Sequence, residues 1–109
     1  MSESAPNSPE NLPKLDPVAV FFALGYDSRW AILKLLADGR ARSTGEVATA
    51  LGRKLDGTGK QLKILSDAGV LDFLRGEDRR QAVFRIAAAR LRAPAMLDLG
   101  FCVVDLNQP

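Results

Sequence analysis

Side chains able to make and break covalent bonds are scarce in this sequence. It contains no histidine and one cysteine, Cys102, so neither a Ser–His nor a Cys–His nucleophile can be assembled. One thiolate per chain is too few for a soft-metal site. The carboxylates fall at helix caps and turns, and no glycine-rich phosphate loop follows a strand. No catalytic residue, metal ligand or cofactor is expected, and the chain reads as a non-enzyme. Cys102 sits in an alternating apolar segment, where a cysteine is more often an inert apolar side chain than a redox thiol. The remaining chemistry is charge. Ten basic residues lie between Arg53 and Arg92 against five acidic ones, although the whole chain carries only +2. A basic half on a near-neutral chain is a modest footprint for a polyanion, and a solvated arginine-rich face would give the same composition.

These charges need elements to position them. Residues 1–13 lack periodic apolar positions and are interrupted by Pro6, Pro9 and Pro13, which reads as a disordered tail. Asp16 can cap a helix that has Pro17 at its first position, Val18, Phe21 and Phe22 on its apolar face, and Gly25 at its end. Asp27 or Ser28 can cap a second helix, striped by Ile32, Leu35 and Leu36 and closed near Gly39. Ser43-Thr44-Gly45-Glu46 forms a capping box for a short helix with Val47, Ala48 and Leu51 inward and a break at Gly52. Thr58-Gly59-Lys60-Gln61 offers a second box, with Asp56 as a rival cap. Gly57 and Gly59 weaken a helix, which reads either as a close backbone approach to DNA or, the favoured expectation, as a helix that starts after Gly59. Leu62 and Leu65 form its buried face and Gly69 ends it.

The apolar period then changes to two. Val70–Leu74 and Gln81–Ile86 read as strands of a hairpin whose tip is the charged stretch 75–80. A short helical stretch over Ala87–Leu91 precedes Pro94, and the alternation of Leu97, Leu99, Phe101 and Val103 predicts one more strand. Phe21, Phe22, Trp30, Phe73 and Phe84 are assigned to the core. The expected class is mainly α with a small β-hairpin, an α+β fold around one core. The first thirteen residues carry no apolar leader, and no apolar run approaches the roughly 18 residues of a membrane span. A soluble cytoplasmic protein without membrane contact is the expectation.

The two helices between Ser43 and Ala68 have the dimensions of a helix-turn-helix, in which one helix enters the major groove while the other braces against the backbone. The stretch from Leu24 to Ile86 resembles the ArsR-like winged helix-turn-helix regulators. The resemblance rests on Ser28-Arg29 with Ile32, Leu35 and Leu36, on Glu46 with Leu51-Gly52, and on the run from Gln61 to Leu71. Arg75-Gly76 through Arg79-Arg80, then Phe84-Arg85-Ile86, is similar to the family's wing. The resemblance implies a winged helix-turn-helix domain over residues 14–93, followed by a C-terminal strand segment at 94–109.

It also implies a function: a homodimeric regulator, in the repressor mould, whose partner is double-stranded DNA. Base reading would come from the first turns of the recognition helix, here Thr58, Gly59, Lys60, Gln61 and Lys63. Arg79, Arg80 and Arg85 would make wing contacts to phosphate or minor groove, which position the protein. Gln61 can pair bidentately with adenine, or it can serve only as the box partner of Thr58; both readings stay open. Asp56, if it faces phosphate, opposes binding. Family members that sense metals use cysteines or histidines; the Glu46 helix carries neither, so metal sensing is not expected and the effector stays unread. Pro94 breaks the family's C-terminal helix, and the segment after it is expected either to help build the dimer or to close its own domain. The rival function is a winged-helix protein-interaction module that does not read bases.

Overall fold

The residues that end helices decide the frame. In the computed structural model, which describes residues 12–76 and 81–108, Asp16 accepts from the Val18 amide at 3.2 Å and opens α1 (Pro17–Leu24). Helix α2 (Asp27–Leu36) follows from Tyr26 without a side-chain cap. The capping box forms as its spacing predicts: Ser43 Oγ accepts from the Glu46 amide at 3.1 Å, and Glu46 Oε1 accepts from the Ser43 amide at 2.8 Å. The Ser43 backbone amide, and after it the Ser43 side chain, hold the Glu46 carboxyl below its ordinary pKa. Helix α3 (Thr44–Leu51) ends at Gly52, whose φ of 63° turns the chain sharply toward α4 (Leu55–Asp67).

Helix α4 starts five residues earlier than expected for a helix beginning after Gly59. Thr58 and Gln61 do not form a capping box, because Thr58 already lies inside the helix and its hydroxyl donates to the Lys54 carbonyl at 2.8 Å. Both glycines are helical. Their propensity cost, up to about 1 kcal/mol each, is offset by Leu62 and Leu65, which are fully buried and contribute about 1.5–3 kcal/mol each.

Two small antiparallel sheets complete the fold. Strands β2 (Asp72–Arg75) and β3 (Ala82–Arg85) form the hairpin, and the short β1 (Arg42–Ser43) adds to β3 in the order β1-β3-β2. No strand is legible in sequence at β1, of whose two residues only Ser43 is read, as a helix cap. A 3₁₀ turn (Ala88–Arg90) replaces the expected helical stretch. The predicted single C-terminal strand is instead a second hairpin, β5 (Met96–Asp98) and β6 (Val103–Asp105), with β4 (Leu91–Arg92) beside β5. Gly100, at a φ of 91°, sits in its turn. Leu97, Leu99 and Leu106 join the same core as Ile32, Leu36, Val47, Leu62 and Ile86.

The aromatic residues correct the expected core. Only Phe84 is buried; Phe21, Phe22 and Phe73 are exposed and Trp30 is half-buried. On α1 the inward face is Val20 and Ala23, both fully buried, while Val18 and Phe22 are 77% and 69% exposed. Small side chains let α1 sit close to the bundle and leave its bulky residues outside. The result is an α+β winged helix-turn-helix. Among the described residues no helix is long and apolar enough to cross a membrane.

Candidate nucleic-acid interface

The buried cation Arg29 organises the site. It occupies the apolar stripe of α2 among Ile32, Leu33 and Leu36, where an unpaired charge would be costly. Its guanidinium donates to the carbonyls of Ala23 at 2.6 Å and Phe22 at 3.1 Å, satisfying the end of α1, and to Gln61 Oε1 at 2.7 Å. The rings of Phe22 and Tyr26 stand 5.4 and 4.8 Å from its central carbon, in cation–π range. One side chain thus ties α1 and α2 to α4 and fixes how α4 is rotated about its axis.

That rotation decides which predicted residues face outward. Thr58 is 2% exposed, so it braces the helix from within. Gln61 is half-buried, and because a guanidinium only donates, the oxygen it takes is the one that a bidentate adenine contact needs. Gly59 lies half-buried near Thr44, whose methyl would stand 3.7 Å from an added Cβ. Lys60 is exposed and, among the described residues, has no ion-pair partner. Lys63 is exposed and pairs with Asp67 at 3.1 Å; so open a pair is worth about 0–1 kcal/mol and yields readily to phosphate. On the hairpin, Arg85 faces its register partner Asp72 at 3.7 Å. Arg79 and Arg80 lie outside the described residues.

Sequence reasoning did not single out a groove beside these residues. A cavity of about 360 Å³ opens between the starts of α2 and α4, lined by Tyr26, Ser28, Arg53, Lys54, Gly57 and Gln61. Neither Tyr26 nor Lys54 caps its helix with a side chain, so both helix starts point unsatisfied amides and positive dipole ends toward it. Arg53 spans the groove to donate to Ser28 Oγ at 3.0 Å. Gly57 has open space where a side chain would be. Uncapped helix starts beside two cations have the chemistry that suits a phosphate. Asp56, exposed in the first turn of α4, is the opposing charge. The signal available beforehand was Arg53-Lys54 in the turn between two helices.

The fold occurs in known proteins. The HVO_A0114 family model matches residues 26–90. The homodimeric winged helix-turn-helix DNA-binding domain of Mb0332 from Mycobacterium bovis, described as a possible ArsR-family transcriptional regulator, is 32% identical with a TM-score of 0.59, covering 68% of each chain. Rv0081 of M. tuberculosis is also 32% identical, with a TM-score of 0.56 over 66% of this chain and 70% of its own. The transcriptional repressor BigR from Xylella fastidiosa shares the fold at 21% identity and a TM-score of 0.55, over 64% of this chain and 68% of its own. No curated protein sequence matches.

Proposed function

This chain belongs to the HVO_A0114 family and to the ArsR-like winged helix-turn-helix regulators, and from that membership we propose that it is a cytoplasmic, homodimeric repressor that binds double-stranded DNA sequence-specifically. The observation carrying this reading is the outward face of α4, where Lys60 stands without an ion-pair partner among the described residues beside a groove suited to phosphate. In this reading Lys60 enters the major groove, Gly57 and Gly59 allow a close approach, and Arg53 and Lys54 hold a backbone phosphate. Lys63, Arg85, Arg79 and Arg80 contact flanking phosphates. Thr58 and Gln61 act from inside, by fixing the helix they belong to.

The dimer is supported by the apolar face that α1 leaves uncovered, Val18, Phe21 and Phe22, which continues onto the C-terminal hairpin through the edge-on pair Phe21–Phe101 at 5.5 Å. Mb0332, its relative at 32% identity, is homodimeric. A dimer seated on its site excludes other proteins from that DNA, which is the physical basis for assigning repression. The described residues hold no cluster fit for a metal ion, and no effector is assigned to the DNA-facing side.

A second reading, a protein-interaction module, draws on exposed Leu55 and Asp56 at the start of α4. Salt separates the two. Fluorescence anisotropy with a duplex that the protein prefers should show affinity falling steeply with salt through counterion release. Lys60→Ala with Arg79→Ala should make that slope shallower by about one for each phosphate contact removed. No duplex bound above random sequence at any salt concentration favours the interaction module.

A further inference from the structure

A second cavity, remote from the start of α4, holds a buried cation that the DNA-binding reading does not use. Arg90 closes the 3₁₀ turn and is 4% exposed. Among the described residues its guanidinium donates to backbone carbonyls alone, of Pro13 at 2.9 Å and Asp98 at 3.3 Å. Among the described residues no carboxylate lies within ion-pair distance of it. The nearby Asp98 carboxylate is committed elsewhere, accepting from Arg92 Nη2 at 2.6 Å and from the Gly100 amide at 2.9 Å. Burial pulls the Arg90 pKa down, and the more distant charges of Asp98 and Asp72 oppose that shift. A buried cation with no contacting anion among the described residues is a costly arrangement unless something else supplies one.

Arg90 lines a cavity of about 370 Å³ between the segment leading into α1 and the turn of the C-terminal hairpin. Its other walls include Leu15, Pro17, Leu99 and Phe101, with Lys14 adding a second cation. The volume lies in the range of small-molecule sites, about 300–1,000 Å³, and apolar walls with a few charged groups are their usual composition. We propose that this cavity binds a small carboxylate with an apolar body, of the phenylacetate class, its carboxylate on Arg90 and its hydrocarbon against Leu15, Leu99 and Phe101. The geometry also gives the site a route to the rest of the molecule. Leu15 packs on Gly69, two residues beyond α4, so closely that an added Cβ would fall 2.5 Å from it. Phe101 contacts Phe21 on the exposed face of α1.

The test reads binding directly and does not depend on DNA. Phenylacetate is titrated into the full chain and followed by amide chemical shifts, with phenylacetamide as the neutral twin and acetate as the body-less one. Phenylacetate should give saturable shifts at residues 14, 15, 100 and 101, and both controls should bind at least tenfold more weakly. Arg90→Gln should weaken phenylacetate at least tenfold; should that variant not fold, exposed Lys14→Glu should weaken it several-fold in a chain of unchanged stability. Equal binding of the amide, or shifts centred on Arg53 and Lys54 instead, overturns the proposal. So does the lack of any saturable shift, the result expected if Glu3 or Glu10 of the chain itself supplies the anion.

Discussion

Gln61 has a side chain suited to DNA and a neighbour that claims it. Its oxygen is held by Arg29 at 2.7 Å in a half-buried position, so its first effect is on stability. Gln61→Met should cost about 1–3 kcal/mol in urea unfolding, because a buried hydrogen bond to a charged group is lost. A variant with unchanged stability that has lost preference at a single base pair would return Gln61 to base reading. Asp38 makes a prediction of a different kind. The Arg42 guanidinium bonds it at 2.9 and 2.7 Å, holding its pKa at about 2 against an ordinary 3.8. The folded pKa is the lower one, so the stabilisation is complete above about pH 4 and is lost as pH falls through 2. Asp38→Asn should therefore flatten stability against pH in that window alone, measured by denaturant midpoints, and an unaltered acid limb would refute the assignment. Little of this was legible in sequence. Thr58 and Gln61 have the spacing of a capping box, and spacing cannot report that a cation from another helix has taken one of them. Arg29 was the better clue, since it shares a helical stripe with Ile32 and Leu36, where a charge must find partners.

Helix α4 is the element on which the sequence was most ambiguous. Gly57 and Gly59 argued for a late start, yet burial of Leu62 and Leu65 together with the Thr58 bond to Lys54 carries the helix back to Leu55. Propensity lost to packing, as it does when the apolar face is deeply buried. Gly57 is helical with open space around its Cα, so Gly57→Ala should stabilise the free protein by about 0.4–1 kcal/mol. If that space receives the DNA backbone, the same change should weaken DNA binding; a stabler variant with full affinity would remove the close approach from the account. Helices α1 and α3 were readable because their ends are written in short-range chemistry, at Asp16, Ser43, Glu46 and Gly52. The face of α1 was not, because helical spacing identifies an apolar stripe without saying whether the core or another chain covers it. The second hairpin was misread as one strand, since alternation from Leu97 to Val103 runs straight through the turn at Gly100.

At the scale of the molecule, the unresolved demand is the apolar surface of α1 and the C-terminal hairpin. A contiguous exposed patch of bulky apolar residues marks an interaction surface, and a two-fold dimer buries the same patch from both sides. Val18→Asp adds a charge to its centre, in the first turn of a helix, where an acid suits the dipole. The fold should survive, by circular dichroism, while sedimentation shifts from dimer to monomer; a variant that stays dimeric would move the interface elsewhere. The proposed dimer matters because it would convert one recognition helix into a pair related by two-fold symmetry, and so dictate the form of the target. Selection of bound duplexes from a random pool tests this most directly. The account predicts enrichment of an inverted repeat, with Lys60→Ala eroding preference at symmetry-related positions in both halves. A pool that emerges as random as it began, at low salt and high alike, would contradict it.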